Sequence, residues 1–599
     1  MWLINTTTIK LERADAEELE TTPYAILSHT WDHGEVTFDE MMQPDVAKER
    51  PGYTKIMKTC QLARQRGLAY AWVDTCCVDK RSSAELAEAI NSMFRWYQCS
   101  TVCLAHLEDL VPHSGTGDDS LSGLSSCRWF TRGWTLQELI APQNLEFYDS
   151  EWHYRGTKAT LRHQISDITG IEVAVLENNA FLESIPIAKR MSWAANRSTT
   201  RVEDLAYCLL GIFDVNMPMM YGEGSKAFTR LQEEIVKETT DLSVFAWKVQ
   251  EETGTSSQDF RGILAQSPAE FAHCRKLRRA PNIRQGHVFT MTNRGLRLET
   301  YLGKSDDMDY VLNLDCIIPD DSDCEQRIGV FLSKTADGYV RTRPAELFKT
   351  QNSWVWAGTR HQVFIRKRVT PFASWTLKNL STTNLAFQFN FCPGFHLHSF
   401  TAKPAELWDS HRESFITGNS ERFTGFFDFQ IFDSLNSSVT GRLFIVCGLM
   451  AQPGTASGGS LKPWMGIYDS LDAASSQRIV DSISGYYGSY GEEFYLHQLR
   501  GIALKNHSDL PHATRVPSSN PPGRLNVYLE APQGAGQHVI TMPRPLANEV
   551  NFGLSRDLIT TRAEPHLLSS TAPTGRLSHR ARNSHHSSVT NQSSQLRAP

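Results

Sequence analysis

The run Leu68-Ala69-Tyr70-Ala71-Trp72-Val73-Asp74-Thr75-Cys76-Cys77-Val78 limits what this chain can fold into more than any other stretch. It is nearly all apolar, as in a strand buried on both faces. Such a strand needs a layer on each side, and its neighbours supply helices. Residues 54–66 place Ile56, Met57, Cys60 and Ala63 at helical spacing, and Gly67 stops them. Ser82 opens a second helix, with Glu85 three residues on in the pattern of a capping box. Leu86, Ile90, Met93, Phe94 and Tyr97 form its buried stripe. Residues 24–30 read as a first strand, 101–107 as a third and 145–148 as a fourth. A Ser- and Gly-rich loop at 113–126 leads to a short helix before the last of these. Alternating strand and helix predict an α/β fold with a parallel sheet and helices on both sides.

Loops that follow the strands of such a sheet line its ligand crevice. The candidate segment there is Ser126-Cys127-Arg128-Trp129-Phe130-Thr131-Arg132-Gly133-Trp134-Thr135-Leu136-Gln137-Glu138-Leu139-Ile140-Ala141-Pro142. Trp134 and Glu138, four residues apart, share one helical face. Glu138 is either a carboxylate in the crevice or one placed near a helix start, where the dipole favours it. Asp74, near the end of an apolar strand, either caps a turn or meets a ligand. Trp31, Trp72 and Trp134 are candidate stacking faces, each in or near a strand end or the site helix. Ser28-His29 suggests nucleophilic chemistry, but the Gly-x-Ser-x-Gly turn of a serine hydrolase is missing. His29 then hydrogen-bonds in the crevice or packs.

A chain of 599 residues is too long for one core and suggests roughly three to four domains. Residues 158–247 read as helical, from the spacing of Leu205, Leu209 and Ile212 and of Phe228, Leu231 and Ile235. Tyr221-Gly222-Glu223-Gly224-Ser225-Lys226 lacks the residue order of a phosphate-binding loop and reads as a turn into a helix. From about 258 onward, short alternating runs at 287–291, 310–318, 328–332, 361–366, 385–392, 425–432, 442–449 and 524–530 predict an antiparallel sandwich or barrel. The tail from 556 is Ser, His, Thr and Arg and lacks the apolar content to fold. The expected division is 1–157, 158–247, 248–555 and 556–599.

Several function classes fall away. A net charge of -6 sets up no global field for nucleic acid or anionic lipid. No apolar stretch is long enough to span a bilayer, and Met1-Trp2-Leu3-Ile4-Asn5 does not begin a signal peptide, so a cytoplasmic protein without an integral membrane segment is expected. The 12 cysteines are scattered without a Cys-x-x-Cys pair and read as small buried hydrophobes, so no metal is expected.

Three blocks carry a resemblance. Tyr24-Ala25-Ile26-Leu27-Ser28-His29-Thr30-Trp31, Ala71-Trp72-Val73-Asp74-Thr75-Cys76-Cys77-Val78-Asp79-Lys80 and Trp129 through Pro142 resemble, in the family's order, the blocks of the heterokaryon incompatibility (HET) domain. The resemblance spans residues 24–152. It continues through Arg201-Val202-Glu203-Asp204-Leu205-Ala206-Tyr207 and Met217-Pro218-Met219-Met220-Tyr221-Gly222-Glu223-Gly224 to Phe245-Ala246-Trp247, similar to vegetative-incompatibility proteins of filamentous fungi. The family implies a role in nonself recognition and regulated cell death when unlike fungal cells fuse. Some relatives carry a nucleotide-binding domain and repeats; neither is found in this sequence, so a switch driven by nucleotide hydrolysis is not expected.

HET domains in turn look like Toll/interleukin-1 receptor (TIR) domains, which implies a flavodoxin-like parallel sheet. In many TIR domains a Trp-x-x-x-Glu segment supplies the glutamate of an NAD-cleaving site. Trp134-Thr135-Leu136-Gln137-Glu138 matches it in type, spacing and place, and Leu86-Ala87-Glu88-Ala89-Ile90 and Phe147-Tyr148-Asp149 fit the same frame. The likeness implies Glu138 as catalytic residue, with Ser28, His29, Trp31, Trp72, Asp74 and Trp134 around NAD as substrate and no cofactor required. Cleaving the nicotinamide–ribose bond builds positive charge on the ribose, which a carboxylate can stabilise. The competing reading is a module that self-associates through the HET domain or recruits a partner, with Glu138 structural. In either reading the β-rich region senses through an unknown protein partner, scaffolds the effector or restrains it.

Overall fold

A computed structural model describes residues 1–14, 21–112 and 123–250 without a break, most of 259–416, and strand segments from there to 553. The chain begins with a hairpin, β1 (Trp2–Asn5) and β2 (Leu11–Arg13), paired antiparallel. Then come β3 (Tyr24–His29), β4 (Tyr70–Trp72), β5 (Val102–His106), β6 (Leu145–Tyr148) and β7 (Tyr154–Thr157). They form one seven-stranded sheet in the order β2-β1-β4-β3-β5-β6-β7. The inner strands β4, β3, β5 and β6 are parallel. Both edges are antiparallel, so the sheet is mixed rather than wholly parallel.

Two expectations need correction. Residues 24–30 are not the first strand, because the hairpin precedes them. Its pattern is faint, since only Leu3 and Ile4 of β1 are buried. The 68–78 run is also not one long strand. Only Tyr70–Trp72 pairs; the Cys77 amide then turns back to the Val73 carbonyl at 2.9 Å. Cys76, Cys77 and Val78 are buried within this turn and its exit. An apolar run reports burial, and here a turn is what is buried.

The helices are α1 (Phe38–Met41), α2 (Pro44–Lys48), α3 (Tyr53–Gln65), α4 (Ser83–Cys99) and α5 (Thr135–Ile140). Gly67 ends α3 with φ +74°, the left-handed region that glycine enters freely. Ser82 caps α4 by accepting the Glu85 amide at 3.3 Å. Glu85 does not close the box; its carboxylate takes the Asp79 amide instead. Buried on α4 are Ala89, Ile90, Trp96 and Tyr97, while Leu86, Met93 and Phe94 are half-buried. The strands alternate faces with period two. Tyr24 and Ser28 meet α4 and α5, Tyr24 Oη donating to the Trp96 carbonyl. Ala25, Leu104 and Tyr148 pack with Ala63 of α3 on the other face.

From β3 the chain goes to β4 on one side and then crosses to β5 on the other. In open sheets ligands bind where the strand order reverses, at the carboxyl ends. That point lies between β3 and β5, where His29 and His106 are register partners.

Beyond β7 the chain is helical, with segments at Arg162–Thr169, Val173–Glu177, Ile187–Ser192, Asp204–Tyr207, Leu210–Phe213 and Lys226–Glu238. Phe228, Leu231 and Ile235 line one buried face of the last. Leu205 and Ile212 lie on two separate short helices, and Leu209 sits in the turn between them. Gly211 packs on Phe94 of α4: a Cβ there would sit 2.1 Å from Phe94 Cβ. Gly211→Ala is therefore expected to lower stability by about 1–3 kcal/mol, read as a lower thermal midpoint.

Residues from 259 on are mainly strands. Phe289–Thr292, Gly295–Thr300, Tyr310–Pro319, Glu325–Thr335, Gly338–Thr342 and His361–Ile365 share one sheet. Phe395–Lys403, Arg422–Asp433, Ser438–Ala451 and Leu461–Asp469 form another, antiparallel throughout. The 385–392 run splits into Leu385–Phe387 and Asn390–Phe391. A helix at Pro371–Leu380 interrupts the β pattern. Buried apolar side chains from Leu3 to Ile365 form one continuous cluster. The tail at 556–599 lies outside the described residues. Among those described, no helix is long and apolar enough to cross a membrane.

Candidate functional site

Glu138 is buried, and its partner is Ser28 at the carboxyl end of β3. Ser28 Oγ donates to Glu138 Oε2 at 2.5 Å and accepts Trp129 Nε1–H at 2.8 Å. One hydroxyl thus uses both of its capacities in a chain from indole to carboxyl. Burial, aided by the Asp74 charge, pushes the Glu138 carboxyl up to about 8. Desolvation penalises the anion, and a nearby like charge adds to it. At pH 7 the group is mostly neutral.

The helix carrying Glu138 is pinned at both ends. Arg197 Nη1 donates to the Arg132 carbonyl at 2.8 Å and to Thr135 Oγ1 at 3.0 Å. Lys158, also buried, donates to the carbonyls of Leu139 and Ile140 at 3.2 and 3.4 Å, and to that of Pro142. These are the acceptors that a helix end leaves without partners.

Asp74 lies in the turn after β4, half-buried. It accepts Trp31 Nε1–H at 2.8 Å, and its Oδ1 lies 3.9 Å from His29 Nδ1. Trp31 is 48% exposed, and Lys80 Nζ lies over its ring at 3.7 Å from the centroid. Glu35 Oε2 lies 3.6 Å from His29 Nε2, and Lys55 Nζ donates to Glu35 Oε1 at 2.6 Å. Burial opposes the Glu35 charge, yet His29 and Lys55 hold its carboxyl down at about 2.

Ser28, His29, Trp31, Asp74 and Glu138 thus gather at the carboxyl end of β3. Two sequence candidates fall elsewhere. Trp72 is fully buried, edge-on to Trp96 and Tyr97 at 5.7 and 6.0 Å, so its ring presents no face to a ligand. Trp134 shares its helical face with Glu138 but hydrogen-bonds Asp204. Glu88 is exposed. Asp204 in turn accepts Tyr221 Oη at 3.0 Å, and Glu203 Oε1 accepts the amides of Gly222 and Gly224 at 2.8 and 3.0 Å. The 201–207 and 217–224 blocks are therefore two halves of one clasp.

The sequence reading missed His106 and Trp152. His106 is buried, and Trp152 stacks on it with ring centroids 4.3 Å apart and planes 8° apart. Trp152 does so with φ +66°, uncommon for a bulky residue. Burial drives the His106 imidazole down to about 4, so it is neutral at pH 7. The available signal was that β3 and β5 both end on a histidine. Among the described residues, no group of three His, Cys, Asp or Glu side chains is placed to hold a metal.

The protein is thus, by its first sheet, an α/β chain with its polar side chains collected where the strand order reverses. Residues 24–122 match the family model described as heterokaryon incompatibility protein (HET), and residues 226–302 match a domain of unknown function (DUF8212). The chain is 44% identical over 243 residues to vegetative incompatibility protein HET-E-1 of Podospora anserina, across 38% of this chain. It spans 18% of the length of that relative. No solved structure matches. By these matches the chain carries a HET domain and is similar, over that part, to a heterokaryon incompatibility protein.

Proposed function

We propose that this chain is a nonself-recognition effector of vegetative incompatibility that kills by cleaving NAD in a TIR-like, flavodoxin-like HET domain. In this reading residues 1–157 are the effector and 158–247 its helical extension. Residues 248–555 bind a protein partner or restrain the effector, and self-association of the HET domain activates it in the cytoplasm. The carrying observation is the Glu138 carboxyl, held by Ser28 at the carboxyl end of β3 under the negative charge of Asp74.

The chemistry follows from that placement. In hydrolysis of NAD the C–N bond to nicotinamide breaks and its electron pair leaves with the now neutral base. Water adds at the ribose carbon and gives up a proton, so the products are nicotinamide and ADP-ribose. Glu138 must be an anion to stabilise the positive charge building on the sugar. Its proton is lost readily once the nicotinamide cation lies close, because an opposite charge favours the ionised form. The exposed Trp31 ring offers the base a stacking face beside Asp74.

One observation favours the other reading. Glu138 is enclosed and neutral, as a structural carboxyl in a non-enzymatic signalling module would be. Expression of Glu138→Gln separates the two. The cleavage reading expects killing and NAD loss to disappear together. Undiminished killing with intact NAD pools would establish the signalling module instead.

A further inference from the structure

Arg197 is a buried cation held by neutral groups alone. Its guanidinium donates to the Trp193 carbonyl at 3.2 Å as well as to the Arg132 carbonyl and Thr135 Oγ1. Among the described residues no carboxylate pairs with it. Burial pulls the guanidinium down to about 10, so it remains charged at pH 7. Buried charges are costly unless an opposite charge completes them. Glu138 is the carboxyl whose charge favours the charged form of Arg197.

Hydrogen bonds tie the two residues together. The Ser198 amide donates to the Thr131 carbonyl at 2.8 Å, and the Gly133 amide to the Ser198 carbonyl at 2.9 Å. Residues 197–200 therefore run beside the approach to α5. The fit is close, since a Cβ at Gly133 would lie 2.5 Å from Thr199 Cγ2. Thr135 accepts from Arg197 and donates to the Trp129 carbonyl. The indole of the same Trp129 holds Ser28 against Glu138. A line of contacts through Thr135, Trp129 and Ser28 thus joins the helical extension to the carboxyl.

The titratable groups that face Glu138 are Asp74 after β4, Tyr97 on α4, Cys103 on β5, Arg132 ahead of α5, and Arg197. Burial pushes Tyr97 and Cys103 far up, so both are neutral at pH 7. One negative charge, Asp74, then stands against two positive ones. Arg132 is only half-buried and partly screened by water, whereas Arg197 is enclosed, where a charge acts most strongly.

We propose that Arg197 is a positioning residue for Glu138: it fixes the start of α5 and is the buried countercharge of the ionised carboxylate. The helical extension thereby completes the site from outside the first sheet. The proposal rests on the reading of Glu138 as a carboxyl that must ionise to act.

The test compares full-length wild type, Arg197→Met and Arg197→Lys, each with and without Glu138→Gln, by melting temperature against pH. In each pair the difference reports Glu138 and levels off once the folded carboxyl has ionised. Wild type should level off near pH 8. Arg197→Met should level off about one unit higher, as loss of a nearby opposite charge requires. Arg197→Lys keeps the charge but not the fork, so it should melt lower at every pH with the levelling point in place. If Arg197→Met does not fold, Arg197→Gln, neutral yet still a donor, takes its place. Nicotinamide release from NAD by Arg197→Met should fall about tenfold at pH 7 and recover as pH rises, because one unit is tenfold in the ionised fraction. An unmoved levelling point in the neutral variant overturns the proposal, and so does an equal shift in Arg197→Lys. A shifted levelling point in a protein that releases no nicotinamide would overturn the cleavage reading and support this one.

Discussion

Glu138→Gln is expected to stabilise the protein at pH 8 relative to wild type and to leave it nearly unchanged at pH 5. Burial pushes the folded carboxyl up to about 8, against about 4.5 for a free side chain. A group raised in this way contributes stability that is complete below its unfolded value and is lost as pH climbs through its folded value. Wild type should therefore weaken between about pH 4.5 and 8. The difference amounts to roughly 3–5 kcal/mol, from about 1.4 kcal/mol per unit. Gln cannot ionise, but it still accepts from Ser28 Oγ, so the indole–hydroxyl chain survives. His106 and His273, both driven by burial down to about 4, act in the opposite sense. Folding keeps them neutral, so they cost stability as pH falls from about 6.5 toward 4. The wild-type curve alone mixes these effects, and the difference between wild type and Glu138→Gln isolates the carboxyl. Parallel melting temperatures at every pH would mean that Glu138 is already ionised.

Arg341→Ala should have the largest effect outside the crevice. Arg341 is fully buried on the strand Gly338–Thr342. Its guanidinium donates to the Phe245 carbonyl at 3.0 Å and to the Trp247 carbonyl. It also lies over the Trp247 ring, 3.6 Å from the centroid, and Arg261 lies over the same ring at 4.8 Å. Burial pulls the Arg341 guanidinium down to about 9, still charged at pH 7. Truncation leaves two carbonyls unpaired and a cavity beside an indole. The expected loss is about 3–5 kcal/mol, seen as a lower midpoint in urea or heat. Arg341→Lys should fall between, since an ammonium cannot span both carbonyls with the same fork. An unchanged midpoint would mean that the contact does not tie the first β-rich sheet to the end of the helical segment. If the β-rich region restrains the effector, the same variant should also kill without a trigger.

How far the sequence could be read follows from what each pattern reports. The helix stripes were legible because their spacing repeats, as along Phe228, Leu231 and Ile235. Strands β3, β5 and β6 were legible because each is short, apolar and flanked by turns. Leu68–Val78 misled because apolar character reports burial alone, and the turn after Trp72 is as enclosed as the strand. The β1–β2 hairpin was missed because it buries too little to leave a pattern. Within the crevice, Ser28, His29, Trp31, Asp74 and Glu138 stood on motifs. The role of Trp129 as donor to Ser28 did not, since it depends on a contact 101 residues apart. Trp72 and Trp134 show the converse limit. Each lies within a motif, but neighbours fixed only by the fold, Trp96 and Tyr97 for one and Asp204 for the other, decide where its ring goes.

The most direct test of the account is nicotinamide release from NAD by the purified, concentrated full-length protein, with Glu138→Gln as control. Release by wild type is expected to rise with pH toward 8. In the variant it should fall by at least about a hundredfold, the usual cost of removing one preorganised charge partner. Equal release by both proteins, or none from wild type that still kills, would contradict this expectation.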